Sequence, residues 1–188
     1  MSFLPSPHQL RLATRTLRHG GVISYPTEAV YGLGCDPLNA DAVYRLLTIK
    51  QRDIHKGLIL ITADLEQLQP YLLPFNGAMA KRVTGSWPGP VTWLLPARPD
   101  CPDWLTGGRD SLAVRDSAHP VCRALCQHWQ GALVSTSANL SHQPGIHHRL
   151  QLRKQFNALL DYFVPGELGD SQRPTTIRDA VSGGILRR

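Results

Sequence analysis

The pattern that most constrains this chain is an alternation of short apolar segments with amphipathic ones. Six segments are short, apolar and rich in β-branched residues, as is typical of strands: 21–26, 57–62, 90–96, 111–115, 131–137 and 175–181. Between them, apolar residues recur at helical spacing and predict helices over 8–19, 41–50, 75–84, 119–129 and 149–160. We therefore predict an α/β fold, with a twisted mixed parallel and antiparallel sheet flanked by helices.

The length of the chain predicts a single domain. With 188 residues, of which 42% are hydrophobic, it can bury one sizeable core but not two, so we expect one domain over 1–188. Its four cysteines lack the spacing of disulfide or metal motifs and favour a reducing compartment. No apolar run approaches the roughly 20 residues of a membrane span, and the start lacks the apolar core of a signal peptide. We predict a cytoplasmic protein with no membrane partner.

The charge of the chain favours anionic ligands. The formal net charge is +6, and 16 of the 20 lysine and arginine residues are arginine. The planar guanidinium suits phosphate and carboxylate groups, so nucleotide or nucleic acid is a natural ligand class. A solvated cationic face explains the same charge, and charge alone therefore leaves RNA binding open.

One loop concentrates cations. The segment KQRDIHKG, between a predicted helix and a buried strand, carries Lys50, Arg52, His55 and Lys56 against Asp53 alone. A lysine that complements a helix C-terminus explains one of these charges. Like charges in one loop repel each other unless an anion offsets them, so we interpret the loop as an anion-binding site.

Short polar side chains follow another predicted strand. In VSTSANLS the strand ends in Ser135, Thr136, Ser137 and Asn139. Ligands of α/β sheets bind beyond the carboxyl ends of the strands, where hydroxyl and amide groups bind phosphate or nucleotide. A Ser/Thr/Asn turn that caps the next element explains the same pattern equally well.

Arg115 also lies at the end of a predicted strand. Its guanidinium is well placed to bind a carboxylate with two hydrogen bonds. An ion pair with the adjacent Asp116 is the default interpretation.

The stretch VISYPTEAVYGLGCD begins as a strand and then changes pattern. Pro26 ends the strand, and we expect Thr27 to cap a brief helical turn with Glu28 near its positive end. The closely spaced Gly32 and Gly34 indicate unusual backbone angles or a close approach of another chain segment or a ligand.

Several common motifs are absent. The sequence has no G-x-x-x-x-G-K-[ST] phosphate loop, and GLGCDP fails as G-x-G-x-x-G because proline occupies the last position. No histidine, cysteine or carboxylate set has the spacing of a metal site, so we predict no metal held by protein ligands alone.

Taken together, the motifs resemble a known family. SYPTEAVYGLGCD, KQRDIHKGLILI, WPGPVT, SLAVR, VSTSANLSHQPG and RPTTIRDA occur in the order and spacing of the YrdC/TsaC family of threonylcarbamoyl-AMP synthases. The resemblance covers essentially the whole chain and implies a basic concave face on the sheet. It implies an enzyme, a nucleotidyltransferase, that joins L-threonine, bicarbonate or CO2, and ATP into threonylcarbamoyl-adenylate with release of pyrophosphate. Longer relatives carry a further C-terminal domain, which we expect this chain to lack.

The resemblance also implies roles for individual residues. As catalytic and ATP phosphate ligands it implies Lys50 and Arg52, and as further ATP ligands Lys56, Ser137 and Asn139. For the threonine pocket it implies Thr27, Arg115, Ser135 and Thr175. Two positions depart from the family pattern: many relatives have proline in place of Gly57 and serine in place of Thr175.

Partners follow from the same resemblance. Mg²⁺ is expected to accompany ATP, bound through phosphate and water. The product is expected to pass to the tRNA threonylcarbamoyl-transferase machinery, and direct contact with tRNA is left open. Two alternatives are kept: an RNA-binding or ribosome-assembly module that uses the same basic surface without catalysis, and a paralogue with a different acyl-adenylate activity.

Overall fold

The computed structural model of the chain describes residues 4–171 and 175–187. Its helices are α1 (Pro7–Arg18), α2 (Ala40–Lys50), α3 (Gly77–Thr84), α4 (Asp103–Thr106), α5 (Pro120–Trp129) and α6 (Arg149–Phe156). Its strands are β1 (Ile23–Pro26), β2 (Tyr31–Gly34), β3 (Ile59–Thr62), β4 (Val91–Pro96), β5 (Ser111–Asp116), β6 (Leu133–Ser137), β7 (Tyr162–Phe163), β8 (Thr176–Asp179) and β9 (Ile185–Arg187). No helix within these ranges is both long and apolar enough to cross a membrane.

Within the described residues the strands form one mixed sheet in the order β7-β1-β2-β6-β3-β5-β4-β8-β9. The pairs β1–β7, β3–β5 and β4–β8 are parallel, and the other neighbouring pairs are antiparallel. The predicted α/β fold class is confirmed, and each predicted strand and helix is present with boundary shifts of a few residues. The basic concave face stays a prediction.

Two apolar clusters lie on opposite faces of the sheet. In β3, Leu60 belongs to the larger cluster and its neighbour Ile61 to the smaller one. In β6, Leu133 and Val134 divide in the same way. Successive side chains of a strand point to opposite faces, so the sheet is buried on both sides. Helices α1 and α5 contribute to the smaller cluster, and α2 and α6 to the larger one.

Strand β2 has no counterpart in the sequence prediction. Its sequence, YGLG, has low strand propensity, yet it pairs with β1 on one side and β6 on the other. A Cβ atom at Gly34 would lie 2.3 Å from the Val134 carbonyl oxygen and 2.9 Å from the Tyr25 hydroxyl. Neither Gly32 nor Gly34 has a positive φ. The close approach predicted for these glycines is therefore confirmed, and unusual backbone angles are not the reason for them.

The predicted helical turn after Pro26 is wrong. Residues 27–30 instead form the tight connection between β1 and β2, in which the Thr27 amide and hydroxyl both donate to the Val30 carbonyl. The hydroxyl bond is 2.7 Å long. Antiparallel pairing of β1 with β2 requires the chain to reverse here, which leaves no room for a helical turn.

The second helix begins one residue before its predicted start and ends at Lys50, as predicted. Its N-cap is Asn39, whose side chain accepts a hydrogen bond from the Ala42 amide, whereas Asp41 lies in the first turn. At the other end Lys50 is the last helical residue, not part of the loop that follows it. That loop contains a 3-10 turn over Ile54–Lys56.

Candidate active site

A cavity of about 460 Å³ opens beside the ends of β2 and β6. Its volume lies within the range of about 300–1,000 Å³ that is typical of small-molecule sites. The polar and charged side chains that line it are Thr27, Glu28, Arg52, Arg115, Ser135, Thr136, Ser137, Asn139, Gln143, His147, Thr175 and Arg187.

The fold brings together residues that are far apart in the sequence. Among the cavity-lining residues are Thr27, Arg52, Arg115, Ser135, Ser137, Asn139 and Thr175, all of which the sequence analysis singled out. Lys50 and Lys56 do not line the cavity. Lys56 is exposed in the 3-10 turn, whereas Lys50 is buried beneath the turn that follows β6.

Arg52 forms no ion pair with a carboxylate in the described residues. Its Nη2 donates to the Gly57 carbonyl at 2.9 Å, and its buried Nε has no hydrogen-bond partner in the described part of the chain. Burial and the neighbouring Arg187 lower the pKa of Arg52, although Asp53 opposes this shift. Both arginines line the cavity. Two cations held this close favour an anion between them.

Gly57 shapes the loop that holds Arg52. Its φ is 65°, a conformation that proline cannot adopt because its ring fixes φ near about −65°. The departure from the family's proline therefore has a backbone consequence, since the Gly57 carbonyl is the group that orients Arg52.

The turn after β6 presents Ser137 and Asn139 to the cavity. The Ser137 hydroxyl donates to Asn139 Oδ1 at 2.5 Å, and Asn139 Nδ2 donates to the Gln143 carbonyl. The segment therefore forms a Ser/Asn turn, but it does not cap the next helix, whose N-cap is His148. The same residues also line the cavity, so turn formation and ligand binding do not exclude each other here.

Arg115 pairs with Glu28 rather than with its neighbour Asp116. The Arg115 Nη2 atom lies 3.3 Å from Glu28 Oε2, while Asp116 binds Arg123 at 2.8 Å. The default ion pair between Arg115 and Asp116 is therefore wrong. Adjacent residues of a strand point to opposite faces, so these two side chains cannot meet.

Glu28 is held in its charged form. Ser117 donates to its Oε1 at 2.6 Å, and Arg115 faces its Oε2. Burial acts to raise the pKa of Glu28, but Arg115 and Ser117 outweigh burial, and the net effect is a lowered pKa. The Nε of Arg115 is buried without a hydrogen-bond partner among the described residues. The pair therefore retains donor capacity for a ligand.

Two threonine hydroxyls complete the cavity wall. The Thr27 hydroxyl donates a hydrogen bond within the β1–β2 connection, so the lone pairs of its oxygen can still accept one. That of Thr175 lies 3.2 Å from the hydroxyl of Thr92, and either oxygen can be the donor. The hydroxyl of the family's serine is thus retained at Thr175 and lies at the cavity.

Sequence reasoning missed two charged residues of the cavity as site candidates. Glu28 was interpreted only as a helix-end charge, although its position next to Thr27 in the P-T-E motif was a usable signal. Arg187 had no local signal, because only the pairing of β9 with β8 brings it near Arg52. His147 is exposed and also lines the cavity.

No metal centre is evident in the described ranges. They contain no group of three or more histidine, cysteine, aspartate or glutamate side chains that could hold an ion. Glu28, the carboxylate that lines the cavity, already binds Ser117 and Arg115. Hydroxyl, amide and guanidinium groups are thus the ligands that the cavity offers.

Sheet and cavity together define an α/β protein with a cavity of small-molecule size, lined by cationic and hydrogen-bonding side chains, beside the ends of its strands. The family model of Sua5/YciO/YrdC proteins, described as "Telomere recombination", matches residues 15–188. The chain therefore belongs to the Sua5/YciO/YrdC family.

Individual relatives support this assignment. The chain is 54% identical over 182 residues to the threonylcarbamoyl-AMP synthase of Halorhodospira halophila, covering 97% of this chain and 95% of that protein. Among solved structures it is similar to P. abyssi Sua5 complexed with L-threonine, with a TM-score of 0.84 and 30% identity over 90% of this chain. This chain spans half the length of that Sua5. It is also similar to E. coli YciO, with a TM-score of 0.83, 27% identity and 96% of that protein covered.

Proposed function

We propose that this chain is a threonylcarbamoyl-AMP synthase, which condenses L-threonine, bicarbonate or CO2, and ATP into threonylcarbamoyl-adenylate and pyrophosphate. The observation that carries the proposal is the division of charge in one cavity: Arg52 with Arg187 in one group, and Arg115 with Glu28 in the other. Such a division suits a reaction between a nucleoside triphosphate and an amino acid.

The first group suits the nucleotide. Arg52 and Arg187 would bind the triphosphate of ATP, because both are cations that line the cavity and neither forms an ion pair with a carboxylate of the described residues. Ser137 and Asn139 supply neutral hydrogen-bonding groups for the nucleotide. Lys56, exposed outside the cavity wall, is proposed only as a long-range charge that attracts ATP.

The second group suits threonine. Arg115 would bind the threonine carboxylate, with Glu28 holding the guanidinium in place. Hydrogen bonds to the rest of the amino acid would come from Thr27, Ser135 and Thr175, which line the same cavity. Neutral hydroxyls of this kind are what an amino acid site needs and an electrostatic RNA clamp does not.

The chemistry requires no covalent protein intermediate. The threonine amine attacks CO2 and loses a proton to give a carbamate, whose oxygen attacks the α-phosphate of ATP and displaces pyrophosphate. The protein contributes by aligning the reactants and by offsetting the negative charge that develops at phosphorus. Mg²⁺ would be bound by phosphate oxygens and water and would neutralise part of that charge.

The test is a pyrophosphate-release assay with ATP and Mg²⁺, run as a complete mixture and with threonine or bicarbonate omitted, together with a mass measurement of the nucleotide product. We expect release that requires both, and a product mass equal to threonylcarbamoyl-adenylate. Release with another amino acid in place of threonine would support the paralogue instead. A folded protein with no release under any condition would favour the RNA-binding module.

Further partners follow from the reaction. An activated acyl-adenylate hydrolyses in water, so we propose that it passes to the tRNA threonylcarbamoyl-transferase machinery in the cytoplasm. Direct tRNA contact is tested by measuring tRNA affinity against salt concentration, since binding through phosphates weakens steeply as salt rises. Binding that is absent at low salt would contradict direct contact and leave the synthase assignment untouched.

A further inference from the structure

Lys50 has a setting that differs from that of a phosphate ligand. It is 2% exposed, and its Nζ donates to the Ser137 carbonyl at 2.5 Å, the Asn139 carbonyl at 2.8 Å and Asn139 Oδ1 at 3.2 Å. An ammonium group has three donors, and these three acceptors use all of them. To contact a phosphate, Lys50 would have to give up at least one of these bonds.

The backbone of the same residue binds the same turn. The Lys50 carbonyl accepts hydrogen bonds from the Ser141 amide at 3.0 Å and from the Ser141 hydroxyl at 3.2 Å. The segment 137–141 is therefore tied to the last residue of α2 at both of its ends. It is also the segment that presents Ser137 and Asn139 to the cavity.

The electrostatics agree with this geometry. No carboxylate in the described ranges forms an ion pair with Lys50. Burial, and to a smaller extent the nearby Arg52, lowers the pKa of Lys50 to about 8. Carbonyl oxygens are thus the groups that favour the charged form of this side chain. The partners of this buried cation are therefore the oxygen atoms of the turn, rather than solvent or a mobile ligand.

We propose that Lys50 is a positioning residue, whose ammonium fixes the Ser137–Asn139 turn and so acts on ATP through that turn rather than by contact with a phosphate. The proposal deepens the synthase assignment and rests on it for its kinetic test. It predicts that the effect of removing Lys50 depends on the side chains that the turn presents.

A double-mutant cycle tests this dependence. In the wild-type background, Lys50→Met should lower kcat/KM for ATP by about 10²-fold, the size of effect seen when one transition-state contact is lost. In a Ser137→Ala, Asn139→Ala background, which keeps the backbone carbonyls, the same change should cost less than about threefold. Equal losses in both backgrounds would show an independent phosphate contact and overturn the proposal. Lys81→Met, which removes an exposed lysine of α3, is the matched charge control and should leave kcat/KM unchanged.

A second measurement uses the unmodified protein and does not depend on the variants folding. The chain has four lysines, and the other three, Lys56, Lys81 and Lys154, are exposed. With ¹⁵N-labelled lysine, NMR should show one ammonium group that exchanges slowly in the free protein and stays protected when a nonhydrolysable ATP analogue is added. The absence of a protected ammonium in the free protein would overturn the proposal. So would a large shift of its ¹⁵N signal with the triphosphate analogue but not with AMP.

The two measurements separate the two hypotheses. If the wild-type protein releases no pyrophosphate, the synthase assignment fails, while the NMR experiment still tests whether Lys50 holds the turn. If the wild-type protein is active and the cycle is additive, only the positioning role fails.

Discussion

At the scale of single residues, the cavity depends on what surrounds each cation. Among the described residues, the Nε of Arg52 has no hydrogen-bond partner. Arg115 forms an ion pair with Glu28. The Lys50 ammonium donates all three of its hydrogen bonds to protein acceptors. The family resemblance implies the same role, that of a phosphate ligand, for Lys50 and Arg52. Their environments differ because α2 ends at Lys50, which directs its side chain inward, while Arg52 lies beyond the helix and faces the cavity.

Removal of the Arg52 guanidinium should abolish most of the activity. We expect Arg52→Ala to lower kcat/KM for ATP by about 10²-fold or more, because it removes a preorganised cation from the developing phosphate charge. The measurement is steady-state pyrophosphate release with threonine and bicarbonate saturating. Arg11→Ala, on the exposed face of α1, is the control and should behave as wild type. A folded Arg52→Ala protein with near-normal turnover would contradict the phosphate-binding role.

Glu28 should make the stability of the fold depend on acid pH. The pKa of Glu28 is lowered from 4.5 in the folded state, so its contribution is fully present above that value and is lost as pH falls through the folded pKa. Glu28→Gln should therefore flatten the decline in the free energy of unfolding below pH 4.5. At neutral pH it should destabilise the fold by about 3 kcal/mol, because Arg115 loses a buried partner.

Urea unfolding between neutral pH and about pH 3 measures both effects of Glu28→Gln. Asp100→Asn, which alters an exposed ion pair with Arg98, is the control. If the wild-type and Glu28→Gln curves stay parallel across the acid range, the ion pair does not hold Glu28 in its charged form.

At the scale of elements, the sheet is completed by strands that local patterns do not predict. Tertiary pairing decides that YGLG is a strand, because β1 and β6 supply hydrogen bonds on both of its edges. The helices with apolar residues at helical spacing and the short apolar, β-branched strands were predictable because each segment carries its own signal, although the strands are buried on both faces. Strands β7 and β9 have two and three residues, too few to show any period.

The close contact of β2 with β6 predicts a large effect for one methyl group. Gly34→Ala would place its Cβ 2.3 Å from the Val134 carbonyl oxygen, an atom that also accepts the Tyr25 hydroxyl bond. We expect a loss of about 2–3 kcal/mol in the free energy of unfolding, measured from the urea midpoint, because the backbone of both strands must shift. Gly184→Ala is the matched control: its Cβ would meet a single flexible atom at 3.3 Å. Equal midpoints for the two variants would show that β2 can move away from β6.

At the scale of the whole molecule, the site is assembled from distant parts of the chain. Its wall combines the β1–β2 connection, the loop after α2, the ends of β5 and β6, and Thr175 and Arg187 near the other end of the sequence. These segments meet because β2, β6, β3 and β5 are consecutive neighbours in the sheet. Arg187 reaches Arg52 through an edge strand that pairs with β8 alone.

Arg187 should therefore contribute to ATP binding although no motif contains it. Arg187→Ala should raise KM for ATP by about tenfold and leave KM for threonine unchanged, because one cation of the phosphate group is lost. It should also raise the pKa of Arg52, whose value Arg187 lowers. The control is Arg18→Ala, at an exposed residue, which should leave KM for ATP unchanged. Arg178→Ala is unsuitable as a control because Arg178 packs on Trp93. An unchanged KM for ATP would exclude Arg187 from the site.

Local sequence patterns were sufficient to predict the fold class and the positions of the regular helices and strands, because these depend on short-range periodicity and residue type. Several polar residues of the cavity, Thr175 among them, were predicted through the resemblance of their motifs to a known family. Three contacts depend on the tertiary fold: Glu28 rather than Asp116 meets Arg115, Arg187 lies near Arg52, and Lys50 faces inward to the Ser137–Asn139 turn. Each of these outcomes is a contact between groups far apart in the chain, and the strand order that brings them together leaves no trace in local spacing.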